Sequence, residues 1–572
     1  MAAGPVVTAG ESSFAVRAFA INRFGYASAH LAWYDGGLGA LQVAGYETIS
    51  GALRRAPTAV AAAREATAVA SVLAAIALTV AARRLKLSGP AVVAVPLLFG
   101  LAPAGLMLHR TADPTQLAVL WACVALALAG GESRRIGAAG SAAYLAAAVV
   151  TSPLVLVALV PLFSMLLWSG ALARLPHRWR IVSAGAGVLV LAGLVALAVA
   201  GNLPGGGAAA IPDLGALDWV LAVGAIAAGL AGLRISWLRP LAVALLATAG
   251  TAAAAPDVRG SLILVALPLA ALVLPAVAEA AVALAAGFVA RRWAAFPARP
   301  VLVGVLAAAA IAAWIPVASD VREPVDGSRQ SATTAARTWV LQNLPSRPKL
   351  VVDDAMWADL VDAGYPAEQL AAAGGVGPAA AAWPQGWRDA RYAVGAEQVL
   401  RAAGAPVGDA SRSSTPVASF GAITVRRVLS DPNATATAAT ETAGRIAAGG
   451  ALALNPRLGL QPAAADLLRR GQVDARALSV LAAVTGEHAL QIADFPAVPG
   501  ENPAAPRRLI AVSAIDNRTV GPGSAAATML DQWLQAQQPP FRPAGAELDQ
   551  LGGTAVLVVR YDALGSTGLL PP

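Results

Sequence analysis

Over roughly its first 320 residues, the chain alternates long apolar runs with short polar loops. A helix needs about 20 residues to cross a hydrocarbon core of about 30 Å. The pattern therefore predicts a polytopic α-helical membrane domain at 59–319 with about ten spans, and two of its shorter runs meet at Thr151-Ser152-Pro153. The ten apolar segments are 59–82, 90–108, 115–130, 138–150, 152–168, 181–201, 218–232, 238–254, 260–286 and 300–318.

Positive charge alternates between successive loops. The loops at 83–86, 134–135, 174–180, 234–239 and 291–299 carry 13 Lys and Arg residues. The loops between them carry only Arg110 and Arg259. Lys and Arg accumulate in loops on the cytoplasmic side of a membrane. The bias therefore predicts a multi-pass plasma-membrane protein whose N-terminus and C-terminal region, after about residue 319, are both extracytoplasmic.

Residues 1–58 contain neither a signal-peptide core nor a spanning run. We expect an outer loop followed by an interfacial helix at about 38–53. Aromatic side chains are common at headgroup depth, which suits Trp33, Tyr34 and Tyr46.

The composition changes near residue 319, where a polar linker begins and spanning runs end. Short alternating strands and helices predict an extracytoplasmic α/β unit at 320–430, a Pro/Asn/Thr/Ala-rich linker at 431–442, and a second α/β unit at 443–572. In the α/β unit at 443–572 we expect helices at 463–470, 475–485 and 524–537, and strands near 489–494, 508–514 and 554–561. Each unit is long enough to bury its own core.

Composition agrees with a membrane protein: 57% of residues are apolar and 13% charged, against about 25% charged in soluble domains. The net charge of +8 lies mostly in the loops assigned to the inner side, so it indicates topology, and we expect no nucleic-acid partner. The single cysteine, Cys123, excludes an intrachain disulfide and suits a buried thiol.

Ionisable residues cluster in two segments assigned to the outer membrane face. The first cluster is Glu11, Arg17, Arg23, His30, Tyr34 and Asp35, and the second is His109 to Asp113. A carboxylate that accepts a hydroxyl proton, with cations that stabilise a departing phosphate, suits sugar transfer from a lipid phosphate. The sequence contains no Walker loop, zinc-ligand spacing or dinucleotide fingerprint. No cofactor is indicated, and a divalent metal is compatible with the reaction but has no signature of its own.

The first outer segment resembles a known family. Thr8 to Ala18 (TAGESSFAVRA), followed by Trp33 to Gly39 (WYDGGLG), is similar to the first outer loop of actinobacterial membrane glycosyltransferases of the protein mannosyltransferase-like group, glycosyltransferase family 39 with the GT-C fold. Weaker matches are Arg64-Glu65-Ala66, Leu108-His109-Arg110 with Asp113, and the segments 351–361, 386–389 and 417–421. The resemblance covers most of the chain to about residue 430.

The reactive loop departs from the family pattern. The family's acidic pair, which includes its catalytic base, falls on Ala9 and Gly10, so only Glu11 remains. The family's His-Pro-Pro falls on Gly36 and Gly37, and the first spanning helix that normally precedes the acidic loop is missing. Losses confined to reactive loops suggest a relative that has lost or changed its activity.

The resemblance implies a membrane glycosyltransferase-like protein that transfers a hexose such as mannose, with inversion, from a polyprenyl-phosphate sugar to a cell-envelope glycan or protein acceptor. Glu11 and Asp35 would be catalytic. His109, Arg110 and Arg17 would bind the donor phosphate, with Asp113 and Tyr34 as further site candidates. The alternative is an inactive relative that binds an envelope glycan or a partner. A transporter is a third class, but few ionisable groups lie inside the apolar runs.

Each candidate also has a structural interpretation. Glu11 suits a solvated loop carboxylate, and Asp35 suits a loop stabilised through backbone N–H groups. His109 and Arg110 suit a helix end at the lipid headgroups. Asp113, before Pro114, suits a helix cap. Arg64 and Glu65 are expected to pair with each other or with polar groups in the bundle. Asp353-Asp354 resembles a metal-binding doublet, but turn formation and capping explain it at least as well.

Overall fold

A computed structural model describes residues 9–25, 37–129, 134–168, 189–193, 216–292, 327–376, 383–430 and 434–563. The chain divides into two compact units, Met1–Gly327 and Ser328–Pro572. The described part of the first unit is helical, in keeping with its long Ala- and Leu-rich runs. Its α-helices are α1 Ala9–Phe24, α2 Gly37–Ser50, α3 Ala52–Arg55, α4 Ala59–Arg84, α5 Gly89–Leu101, α6 Pro103–Leu108, α7 Pro114–Ala129, α8 Arg134–Thr151, α9 Leu156–Trp168, α10 Ala216–Gly232, α11 Arg239–Ala254 and α12 Arg259–Arg292.

The predicted domain of about ten spans is wrong. Within the described residues, two helical segments are long and apolar enough to cross a membrane, Ala59–Arg84 and Pro256–Ala285. The other apolar helices there have 10–17 residues. Of the ten predicted segments, 300–318 lies outside the described residues, as does 181–201 apart from 189–193.

Proline and helix length explain the difference. The predicted span 90–108 is divided at Ala102, where the backbone is extended and Pro103 starts α6. The runs 138–150 and 152–168 are separated at Ser152, followed by a short 3₁₀ turn, Pro153–Val155. A 13-residue helix such as α5 is about 20 Å long, less than the hydrocarbon core. An apolar run in the sequence therefore did not guarantee one continuous helix.

The N-terminal segment also differs from the expectation of an outer loop. Residues 9–24 form α1, which buries Phe14, Val16 and Phe19 and packs against α2 and α4. The helix expected at 38–53 is present as α2, and it ends at Ser50. Gly39 allows close packing of α2, because a Cβ there would lie 3.1 Å from the Pro114 side chain.

The second unit begins with α13 and a five-stranded mixed sheet. The strand order is β2-β1-β3-β5-β4. Strand β1 is parallel to both of its neighbours, and β5 is antiparallel to β3 and β4. The elements are α13 Gly327–Asn343, β1 Leu350–Val352, α14 Asp354–Asp362, β2 Leu370–Ala372, β3 Tyr392–Ala396, α15 Glu397–Ala402, α16 Val407–Arg412, β4 Ser414–Phe420 and β5 Ile423–Val428.

A six-stranded mixed sheet follows, with the order β10-β11-β8-β7-β6 and β9 paired to β8. Its core packs Leu478, Leu481, Phe495, Leu530 and Val559 between helices and sheet. The elements are α17 Ala434–Leu452, β6 Leu458–Leu460, α18 Pro462–Arg469, α19 Ala475–Glu487, β7 Leu490–Asp494, β8 Leu509–Ile515, β9 Arg518–Thr519, α20 Ala525–Gln535, β10 Gly545–Leu551 and β11 Thr554–Arg560.

Candidate functional site in the helical unit

Glu11 and Arg64 form a two-point ion pair between α1 and α4. Arg64 Nε lies 2.6 Å from Glu11 Oε1, and Arg64 Nη2 lies 2.8 Å from Oε2. Thr58 begins α4 by accepting a hydrogen bond from Ala61 N, which places Arg64 in the second turn. Paired N–H···O bonds between guanidinium and carboxylate are strong and orientation-specific. The pair therefore fixes α1 against α4.

Glu11 has a further contact with the loop that precedes α7. The backbone N–H of Ala112 donates to Glu11 Oε1 at 2.8 Å. The Glu11 side chain is 2% exposed. Glu11 is therefore a buried link between α1, α4 and this loop, and the interpretation as a solvated loop carboxylate is wrong.

Asp113 lies beside this link and connects the same loop to two helices. Its Oδ1 accepts from Thr115 N at 2.7 Å, so Asp113 caps α7, as one interpretation of the sequence expected. Its Oδ2 accepts from Ser261 Oγ of α12 at 2.8 Å. Burial raises the pKa of Asp113, hydrogen bonds from Thr115 and Ser261 lower it, and the charge of Glu11 raises it.

His109 is turned into the helical unit. Its Nε2 lies 3.1 Å from the Phe99 carbonyl oxygen, and its Nδ1 lies 3.1 Å from Ser71 Oγ. Burial lowers the pKa of His109, which favours a neutral ring. A neutral ring with both nitrogens engaged is a poor phosphate ligand. The neighbouring Arg110 is exposed.

The structure thus brings Glu11, Arg64, His109 and Asp113 to one region where α1, α4 and the loop 109–113 meet. Arg17 is half-buried on α1. Asp35 and Tyr34 lie outside the described residues. The roles predicted for these two side chains therefore stay predictions. The sequence pointed to Glu11, His109 and Asp113, but it placed Glu11 in a loop and did not indicate that Arg64 binds Glu11.

Adjacent residues on α4 serve different partners. Glu65 accepts from Tyr46 Oη at 2.8 Å and pairs with Arg55 at 2.6 Å, while Arg64 pairs with Glu11. Arg64 and Glu65 therefore do not pair with each other but with other residues of the helical unit, which was the second of the two expectations. The Glu65 pair is partly exposed, whereas the Glu11 pair is largely buried.

Sequence reasoning missed Glu47. This α2 side chain is 2% exposed. Its Oε2 accepts from Asn22 Nδ2 of α1 at 2.7 Å, and its Oε1 has no hydrogen-bond partner within the described part of the chain. Burial raises the pKa of Glu47 to about 8, and the hydrogen bond from Asn22 opposes this shift.

The acidic doublet of the second unit is structural. Asp353 accepts from Met356 N at 2.8 Å and so caps α14. Asp354 accepts from Gly374 N at 2.6 Å. Within the described ranges, no group of three or more His, Cys, Asp or Glu side chains is placed to hold a metal ion. The cap at Asp353 and the Gly374 hydrogen bond of Asp354 give both carboxylates a structural role.

No family model matches the chain, and neither a curated protein nor a solved structure does so. The similarity of residues 8–18 and 33–39 to the first outer loop of protein mannosyltransferase-like enzymes stays a prediction from those residues.

Proposed function

We propose that this protein is a membrane-bound, non-catalytic relative of polyprenyl-phosphate-sugar-dependent glycosyltransferases, and that it binds a cell-envelope glycan. The observation that carries the proposal is that both carboxylate oxygens of Glu11 already have hydrogen-bond partners. A general base needs a carboxylate oxygen within hydrogen-bond reach of the proton that it accepts. Both oxygens of Glu11 are instead bonded to Arg64, and Oε1 also accepts from Ala112 N.

The buried position of Glu11 also disfavours a catalytic role. An acceptor hydroxyl would have to displace a guanidinium from a nearly inaccessible carboxylate. Removing one partner from a buried ion pair costs about 3–5 kcal/mol, before any gain from binding the acceptor. Since Ala9 and Gly10 replace the acidic pair of the family pattern, Glu11 is better explained as a structural residue that remains after catalysis was lost.

Membrane attachment is supported by the surface of α4. Val69, Val72, Leu73, Ile76 and Val80 are all exposed, and their spacing places them along one side of the helix. A continuous exposed apolar stripe is unfavourable in water and favourable against acyl chains. With 26 residues, α4 is about 39 Å long, enough to cross a bilayer.

The turn after α4 supports an orientation. Arg83, Arg84 and Lys86 are exposed at the end of this helix, and such residues favour the cytoplasmic side. Helices α1, α2 and α3, which precede α4, then lie on the outer face of the plasma membrane. The proposal places the second unit there as well, where it can meet an envelope glycan.

The second unit offers residue types suited to binding. Arg388 lies over the ring of Trp387 at 4.8 Å. Lys349 lies 5.6 Å above the ring of Trp383 and 3.4 Å from Asp389. Aromatic and arginine side chains are enriched in protein–protein interfaces, and a tryptophan ring with an adjacent guanidinium offers an apolar face and hydrogen-bond donors to a sugar ring as well. The half-buried Trp387 and exposed Arg388 are the side chains that we assign to glycan contact.

The test uses full-length protein in lipid nanodiscs with radiolabelled polyprenyl-phosphate mannose and an envelope glycan fraction. We expect no sugar transfer, and we expect glycan binding that is at least tenfold weaker in Arg388→Ala. Arg470→Ala is the matched control, since Arg470 is also an exposed arginine of the second unit. Sugar transfer that Glu11→Gln abolishes would show an active enzyme and overturn the proposal. Loss of binding in both arginine variants would point to non-specific charge effects.

A further inference from the structure

Glu47 lies where α1 and α2 meet, and it is bonded across that interface. Asn22 of α1 donates to Glu47 Oε2 at 2.7 Å. The same Asn22 accepts from Thr48 Oγ1 through its Oδ1 at 2.7 Å. A single asparagine therefore contacts two successive residues of α2. This small polar cluster joins the C-terminal part of α1 to α2, while the Glu11–Arg64 pair joins the N-terminal part of α1 to α4.

The environment of Glu47 is unfavourable for a charge. A buried carboxylate is stable only when cations or several hydrogen bonds compensate it. Glu47 has one amide donor, and its Oε1 is shut off from solvent with no partner in the described ranges. Burial costs a neutral Glu47 side chain much less hydration free energy than an ionised one, because a protonated carboxyl carries no net charge.

The charged groups around α2 do not supply the missing compensation. Helix α2 packs against α1, α3, α4, α7 and α8. Glu11 is bound to Arg64, and Arg55 is bound to Glu65. Arg23 and Arg54 are exposed. The other titratable side chains described on these packed helices are Arg17 of α1, Arg83 and Arg84 of α4, Cys123 of α7 and Tyr144 of α8, with Tyr46 on α2 itself. The pKa of Glu47 is determined by burial and by Asn22.

We propose that Glu47 is a proton-binding switch: its neutral carboxyl holds α1 against α2, and loss of the proton opens this interface. The opening admits water to the carboxylate, and the released proton goes to solvent. The switch depends on the α1–α2 contact and not on glycan binding, so it is independent of the function proposed above.

The direction of the pH effect follows from the shift. The pKa of Glu47 is raised to about 8 in the closed state, so the closed state binds more protons than an open state in which the carboxyl is solvated. Closed-state stability is therefore complete below the ordinary glutamate range and is lost as pH rises towards 8. In this window each pH unit favours opening by about tenfold, and the effect levels off above pH 8.

Hydrogen exchange of the α1 and α2 amides in lipid nanodiscs tests the switch. After correction for the intrinsic pH dependence of exchange, we expect opening to increase about tenfold between pH 6 and pH 7 in the unaltered protein. Glu47→Gln keeps a neutral side chain of the same size, and it should remove this increase. Glu65→Gln changes a partly exposed glutamate of the same unit, and it should retain the increase.

An independent measurement protects the test against a misfolded variant. Infrared difference spectra of unaltered protein minus Glu47→Gln should contain a protonated-carboxyl band that disappears with a midpoint near pH 8. The proposal is overturned if the exchange of the unaltered protein and of Glu47→Gln has the same pH dependence. It is equally overturned if Glu47 is already ionised at pH 6.

Discussion

Arg64 holds both carboxylate oxygens of Glu11, at 2.6 and 2.8 Å. The two residues are 53 positions apart in the chain and lie on different helices. Glu11 is the one carboxylate left beside the positions of the family's acidic pair, and its pairing with Arg64 joins helix α1 to helix α4. The segment that resembles a reactive loop in sequence forms helix α1, and its Glu11 holds α1 against α4.

Asp113 provides a prediction about pH. Burial raises the pKa of this carboxyl, so the folded state retains its proton to higher pH than the unfolded state does. This group therefore stabilises the fold fully at low pH, and its contribution decreases as pH rises through the folded-state pKa. Asp113→Asn should reduce this pH dependence of the thermal unfolding midpoint as the pH rises above the ordinary aspartate range.

Asp113→Ala separates hydrogen bonding from charge at this site. The variant loses the cap on Thr115 N and leaves Ser261 without its acceptor, which we expect to cost about 1–3 kcal/mol. Asp113→Asn keeps an acceptor oxygen and should cost less. Equal losses in the two variants, measured by urea denaturation at pH 7, would contradict this account of the side chain.

Arg508 is predicted to stabilise the second unit. Its side chain is 4% exposed, and it donates to Asn343 Oδ1 at 2.7 Å and to Glu501 Oε1 at 3.0 Å. Trp339 Nε1 also donates to Glu501, at 3.1 Å. Arg508→Ala leaves Glu501 buried without its cation, so we expect a loss of about 3–5 kcal/mol.

Exposed Arg542 supplies the matched control for Arg508. Its side chain donates a hydrogen bond to the Gln537 carbonyl oxygen, and Arg542→Ala should change stability by no more than about 0.5 kcal/mol, as is usual for an exposed side chain. Chemical denaturation measures both variants. A similar small loss in each would show that the buried network around Glu501 contributes little.

Membrane orientation is testable with single cysteines, because the native Cys123 is buried and should stay unlabelled. Lys86→Cys in the turn after α4 should react with a membrane-impermeant maleimide only after cells are permeabilised. Arg470→Cys in the second unit should react in intact cells. Labelling of Lys86→Cys in intact cells would reverse the orientation, and protection of Arg470→Cys would place the second unit inside.

The elements around the second sheet were largely predictable from sequence. Helices expected at 463–470 and 475–485 are found at Pro462–Arg469 and Ala475–Glu487, and the strand expected at 554–561 is Thr554–Arg560. These elements have polar boundaries and clear periodicity. The exposed edge strand Gly545–Leu551 was missed, because its charged sequence has weak strand propensity and depends on pairing with its neighbour.

The helical unit was harder to predict, because Ala-rich apolar runs have no contrast between their faces. Counting such runs gave about ten spans, whereas the run 90–108 is divided at Ala102 and Pro103 and several other runs form helices of only 10–17 residues. The candidate site was partly predictable: Glu11 and Asp113 were both named from the sequence, although Glu11 lies on helix α1 and not in a loop. The burial of Glu47 was not predictable, because it requires α1 to be a helix that packs over α2, and the sequence indicated a loop there.

The most direct test of the central claim is a double-mutant cycle on Glu11 and Arg64. Glu11→Gln and Arg64→Met each leave one charged side chain with its partner removed, so each should lower the free energy of unfolding in lipid nanodiscs by about 3–5 kcal/mol. The double variant removes both charges, and it should be no less stable than either single variant, with a coupling energy of at least about 2 kcal/mol. Losses that simply add in the double variant would contradict a structural pair and return Glu11 to consideration as a catalytic base.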